Sequence, residues 1–130
     1  MVLRAGLIGM GKMGRNHARV MSNTEGVDFI GVADPIGDPT GAIDEQLVFH
    51  SVEELISAKI DIAVVACPTI EHETVALKLC EAGIHCLVEK PLALDFSSAE
   101  RIMLSFEKTG LTGAVGHIER FNPAIRAMRQ

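Results

Sequence analysis

The sequence predicts an α/β fold, a doubly wound parallel sheet of about six strands with helices between them. Three observations carry this expectation. Short apolar runs alternate with segments of helical period along the chain, as in βαβ units. One run, DIAVVAC at 61–67, is apolar without interruption, as suits a strand buried on both faces. The first run, LRAGLIG at 3–9, passes through GMGKMG directly into a helical segment.

After the strand at 3–9, Met13, His17, Val20 and Met21 fall at helical spacing and predict one buried face. A second strand, VDFIGVAD at 27–34, stops at Pro35. Two prolines and two glycines make PIGDPTGAIDEQ, 35–46, a loop. A short strand LVFH follows, and Ser51 with Glu54 forms the capping box of a short helix. Beyond the strand at 61–67, Thr69 is placed to cap a helix whose stripe is Val75, Ala76, Leu79 and Cys80, closed by Gly83. IHCLVEK, 84–90, is the fifth strand. Asp95 opens a helix with Ala99, Ile102, Met103 and Phe106 on one face, and Gly110 ends it. LTGAVGHI, 111–118, makes the sixth strand.

At 130 residues the chain suits one hydrophobic core. A hydrophobic fraction of 48% excludes a disordered chain, and a net charge of −5 gives no attraction for nucleic acid or an anionic membrane. Cys67, Cys80 and Cys86 are odd in number and lack metal-ligand spacing, so no metal site is expected and a cytoplasmic location is. No apolar run reaches membrane-spanning length. His17, His50 and His85 have no partner that the sequence reveals.

Gly9, Gly11 and Gly14 form GxGxxG between a strand and a helix, with Lys12 and Met13 inside the motif. The first glycine permits the tight turn, the second lets a pyrophosphate approach the backbone, and the third lets helix and sheet pack closely. Asp34 stands at the tip of the second strand, where a carboxylate can accept from both ribose hydroxyls of NAD and oppose the 2′-phosphate of NADP. The pattern is that of a Rossmann fold that prefers NAD. An ordinary strand-to-helix turn with a turn acid is the competing reading.

GMGKMG, VADP, ACPTIEHETVALKLCEAGIHCLVEKPLA and GHIERFNPA together resemble the Gfo/Idh/MocA oxidoreductases. The GHIERFNPA ending is most similar to the subgroup that includes UDP-N-acetylglucosamine 3-dehydrogenases. The resemblance implies an NAD-dependent dehydrogenase that moves hydride between nicotinamide and a hydroxyl or keto carbon of a sugar, nucleotide sugar or cyclitol. It covers only the family's cofactor half. Residues 1–118 are then the NAD-binding domain and 119–130 the start of a connection to a second, α+β substrate domain. That domain is expected to be absent here, to carry the catalytic base and to make the full-length form a homo-oligomer. A fragment of this kind is expected to bind NAD and turn over little.

Carried over residue by residue, Glu89, Lys90 and Pro91 are the family's EKP motif. Lys90 is the catalytic candidate, near the nicotinamide ribose and the reacting hydroxyl; partial desolvation at a strand end would prepare it to handle a proton. Cys67, Pro68, Thr69 and His72 match positions beside the nicotinamide half, with Thr69 free either to cap its helix or to touch cofactor. His117, Arg120, Phe121 and Asn122 match the passage toward substrate, and Arg120 suits an anionic substrate group. A stand-alone NAD-binding or sensing module without catalysis is the alternative. A scaffold with a vacant site would leave Asp34 unexplained.

Overall fold

The computed structural model of the chain describes residues 1–129. In chain order the elements are β1 (Leu3–Ile8), α1 (Lys12–Ser22), β2 (Val27–Ala33), β3 (Val48–Phe49), α2 (Val52–Ser57), β4 (Ile62–Val65), α3 (His72–Glu81), β5 (His85–Glu89), α4 (Phe96–Thr109), β6 (Gly113–Gly116) and α5 (Pro123–Met128). The six strands are parallel in the order β3-β2-β1-β4-β5-β6. From β1 the chain winds outward to β3, then crosses to β4 and winds the other way. The reversal leaves a crevice beyond the carboxyl ends of β1 and β4, where open α/β sheets bind ligands.

Register decides what stands at that edge. Ile8 pairs with Ala33 and with Val65, Val65 pairs with Val88, and Glu89 pairs with Gly116. The residues that follow these strand ends, Gly9, Asp34, Lys90 and His117, therefore emerge along one rim.

Two apolar layers hold the sheet. On one face, Ala18 and Met21 of α1 pack on Leu7, Val32 and Val64. On the other, Leu55, Val75, Leu79, Ile102 and Phe106 from α2, α3 and α4 pack on Ile8, Val65, Cys86 and Val88. Leu7, Leu55 and Leu79 are fully buried, each stabilising by roughly 1.5–3 kcal/mol relative to exposure. Cys80 and Cys86 are core residues, and burial pushes the Cys86 thiol up to about 12. Asp95 caps α4 by accepting from the Ser98 N–H at 2.8 Å, and Gly110 ends that helix in the left-handed conformation at φ +70°.

Several expectations are corrected. The buried face of α1 is Gly14, Ala18 and Met21, whereas Met13 and Val20 are exposed. Contact between Gly14 and Gly9 sets the rotation of α1 about its axis, which a count of apolar side chains does not register. Thr69 caps nothing among the described residues. Pro68 starts a 3₁₀ turn over Thr69–Glu71, and α3 begins at His72 with no side-chain cap. Ser51 caps α2 as expected, accepting from the Glu54 N–H, but the return bond of the box falls one residue earlier, the Glu54 carboxylate accepting from the His50 N–H. On α4, Met103 is 48% exposed and the buried stripe is Ser98, Ile102 and Phe106. The sheet ends at β6, which leaves Met103 half exposed at the edge of the apolar layer, in a groove with Leu111 and Val115. His85 does have a partner, its Nδ1 accepting from the Thr112 N–H at 2.9 Å. No described helix is long and apolar enough to cross a membrane.

Candidate functional site

The glycine turn is built by contacts that exclude side chains. Gly9 has φ +95°, and a Cβ there would lie 2.7 Å from the Ala66–Cys67 backbone. A Cβ on Gly14 would lie 2.0 Å from the Gly9 carbonyl oxygen. Gly11 is different: it occupies the N-cap of α1, and nothing lies within 4 Å of where its Cβ would be. That open space faces the start of an 11-residue helix with no side-chain cap and no acid in its first turn. The amides of that turn have no intrahelical acceptors, and with the helix dipole they favour an anion. The cradle fits a diphosphate.

Asp34 is fastened beside it. Its Oδ2 accepts from the Met10 N–H at 2.9 Å and its Oδ1 from the Ile36 N–H at 2.9 Å. Both bonds fix the carboxylate's orientation, and each oxygen keeps a lone pair for another donor. Asp34, Pro35, Ile36, Val52, Cys67 and Pro68 line a cleft of about 280 Å³ that is mostly apolar, with Asp34, Glu71 and Ser51 as its polar side chains. This is the chemistry an adenosine needs, a flat apolar slot with an acceptor at the sugar. Burial pushes the Cys67 thiol up to about 11, with the Glu71 and Asp34 charges adding to it. Cys67 is therefore a wall and not a nucleophile.

A second, more open cleft of about 860 Å³ joins the other side of the turn. It brings together Met13, Lys90, Pro91, His117 and Arg120, from three segments far apart in sequence. Lys90 is exposed, so the expected desolvation is not supplied by the described residues. Phe121 is 73% exposed and does not line this cleft. Asn122 is occupied as the cap of α5: Oδ1 accepts from the Ala124 N–H at 2.9 Å, and Nδ2 donates to Glu119 at 2.8 Å.

His72 lies beneath this surface, 1% exposed. Its Nε2 is 2.9 Å from the Cys67 carbonyl oxygen, and its Nδ1 is 3.0 and 3.2 Å from those of Pro91 and Leu92. The imidazole is buried between the loop after β4 and the loop after β5, with one ring nitrogen toward each. Sequence reasoning missed His17, whose Nε2 is 2.7 Å from Glu89 Oε1 in a largely buried pair. A separation of 72 residues hides that pair, and the only signal is His17's position one turn past the glycines.

A family model described as "Oxidoreductase family, NAD-binding Rossmann fold" matches residues 3–117. UDP-N-acetylglucosamine 3-dehydrogenase of Acidithiobacillus ferrooxidans is 35% identical over 131 residues, covering 98% of this chain and 41% of that protein. A solved structure of that enzyme superposes with a TM-score of 0.86 at 34% identity, over 100% of this chain and 43% of the other. An inositol 2-dehydrogenase of Corynebacterium glutamicum is 32% identical, covering 98% of this chain and 40% of that protein. Scyllo-inositol dehydrogenase of Lactobacillus casei, solved with NAD(H) and scyllo-inositol, has a TM-score of 0.88 over 100% of this chain and 40% of its own, and at 20% identity shares the fold. The chain thus spans about two fifths of the length of these relatives.

Proposed function

Because the chain belongs to the Gfo/Idh/MocA oxidoreductase family, we propose that it is the NAD-binding part of a dehydrogenase acting on a hydroxyl of a sugar, nucleotide sugar or cyclitol. Residues 1–118 form the cofactor domain in this reading, and 119–130 begin the connection toward substrate. Relatives named as UDP-N-acetylglucosamine and inositol dehydrogenases support the substrate class.

The amides that start α1 hold the diphosphate, with Gly11 leaving room for its approach. Asp34 accepts from the adenosine ribose hydroxyls and repels a 2′-phosphate. Cys67 and Pro68 wall the cleft, and Thr69, with no capping bond among the described residues, keeps its hydroxyl free to meet the cofactor. When bound, NAD supplies the hydride acceptor. Lys90 stands at the nicotinamide end and steadies the negative charge that grows on the substrate oxygen as its proton departs. Arg120 and His117 lie on the same side, where Arg120 suits an anionic substrate group. A pure sensing module would have no use for a lysine and an arginine converging there.

The observation that carries the proposal is the Asp34 carboxylate, locked at 2.9 Å to the Met10 N–H beside an uncapped helix start. Calorimetric titration with NAD and NADP tests it. The chain should bind NAD in preference, and Asp34→Ala should erase that preference. Equal binding of the two by the unaltered chain, or binding of neither, contradicts it.

A further inference from the structure

Glu89 ends β5 and is 6% exposed, yet it immediately precedes the lysine that lines the open cleft. A carboxylate at that depth needs donors. It has two: His17 Nε2 at 2.7 Å from Oε1, and the Lys90 backbone N–H at 3.2 Å from Oε2. His17 comes from α1 one turn beyond Met13, a residue of the same cleft. On the opposite side β6 passes in register at Gly116, where a Cβ would lie 3.3 Å from the carboxylate carbon and from both oxygens. The carboxylate sits in a slot closed by α1, its own strand and β6.

A buried pair of this kind adds little net stability over a well-packed apolar pair, so its value lies in where it holds its neighbours. We propose that His17 is a positioning residue for Lys90. By fixing the Glu89 carboxylate, His17 fixes the Lys90 peptide that the carboxylate accepts from, and so the point from which the Lys90 side chain enters the cleft. The proposal rests on the reading of that cleft as the nicotinamide end. The nucleotide-binding helix then serves both halves of the cofactor, because α1 presents its first turn to the diphosphate and its second turn to the strand that carries the lysine.

The test compares NAD with ADP, which keeps adenosine and diphosphate but lacks nicotinamide and its ribose. Calorimetric titrations use the unaltered chain, His17→Phe and His17→Gln. His17→Phe should weaken NAD about fivefold, roughly the worth of one hydrogen bond, and leave ADP within about twofold. The amide of His17→Gln can still donate and should restore NAD binding. NAD and ADP weakened together would mean that His17 only seats α1, and NAD unchanged in His17→Phe would mean that it positions nothing; either result overturns the proposal. Should His17→Phe not fold, His17→Ala, which also removes the donor, gives the same reading, with a loss confined to NAD expected. An unaltered chain that binds NAD no better than ADP overturns this inference alone, whereas one that binds neither overturns the cofactor reading and this inference with it.

Discussion

Gly14 packs on Gly9 so closely that a Cβ on Gly14 would stand 2.0 Å from the Gly9 carbonyl oxygen. No rotamer relieves such a clash, because both partners are backbone. Gly14→Ala should therefore destabilise the chain by about 1–3 kcal/mol despite alanine's better helix propensity. Gly11→Ala meets nothing within 4 Å and loses only the preference for glycine over alanine at an N-cap, so stability should fall by no more than about 1 kcal/mol while NAD affinity falls. Urea unfolding and NAD titration of the two variants separate the packing glycine from the binding one.

Asp34 has a structural role as well as its proposed role in recognition, since Met10 and Ile36 both donate to it. Asp34→Ala leaves two backbone donors without an acceptor and should destabilise by about 1–3 kcal/mol. Thermal unfolding in the absence of nucleotide measures this. No change in melting temperature would mean that water replaces the carboxylate without penalty.

These two sites were legible in the sequence because their partners are local in pattern: three glycines at fixed spacing, then an acid at the tip of the next strand. The strands were legible for the same reason, each being a short apolar run between turn residues. What sequence did not reveal depends on rotation and distance. The buried face of α1 is set by contact between two backbones, so Met13 and Val20, apolar and correctly spaced, point outward. Thr69 has the chemistry of a cap, but Pro68 diverts the chain into a 3₁₀ turn before the helix begins. His17 and Glu89 meet only after β5 has been placed beside β4, and no periodicity in either segment announces it.

Glu73 of α3 accepts from the Arg101 guanidinium of α4, and that pairing, helped by Ser98, holds the carboxyl down at about 2. A carboxyl depressed in the folded state stabilises above its ordinary pKa and loses that contribution as pH falls through the folded value. The stability gap between the unaltered chain and Arg101→Met should be steady from neutral pH to the ordinary carboxyl value of 4.5 and should narrow between 4.5 and about 2. Melting curves over a pH series test this, and a gap that widens with acid contradicts it.

The cysteines should be sluggish toward alkylation. Burial pushes the thiols of Cys67 and Cys86 up to about 11 and about 12, leaving almost no thiolate at pH 8. Iodoacetamide should label the folded chain far more slowly than the urea-unfolded one, and NAD should slow Cys67 further because that residue lines the proposed adenosine cleft. Mass spectrometry of timed samples gives the rates; rapid labelling of Cys67 in the folded chain would falsify the assignment.

The proposed function depends above all on the amides opening α1 holding a diphosphate while Asp34 holds the adenosine sugar. Amide NMR of the isotope-labelled chain during NAD titration reads both contacts residue by residue. The largest shifts are expected at Gly9, Gly11, Lys12, Met13, Gly14 and Asp34. Shifts confined instead to the apolar groove between α4 and β6, around Met103 and Leu111, with the glycine turn unmoved, would contradict it.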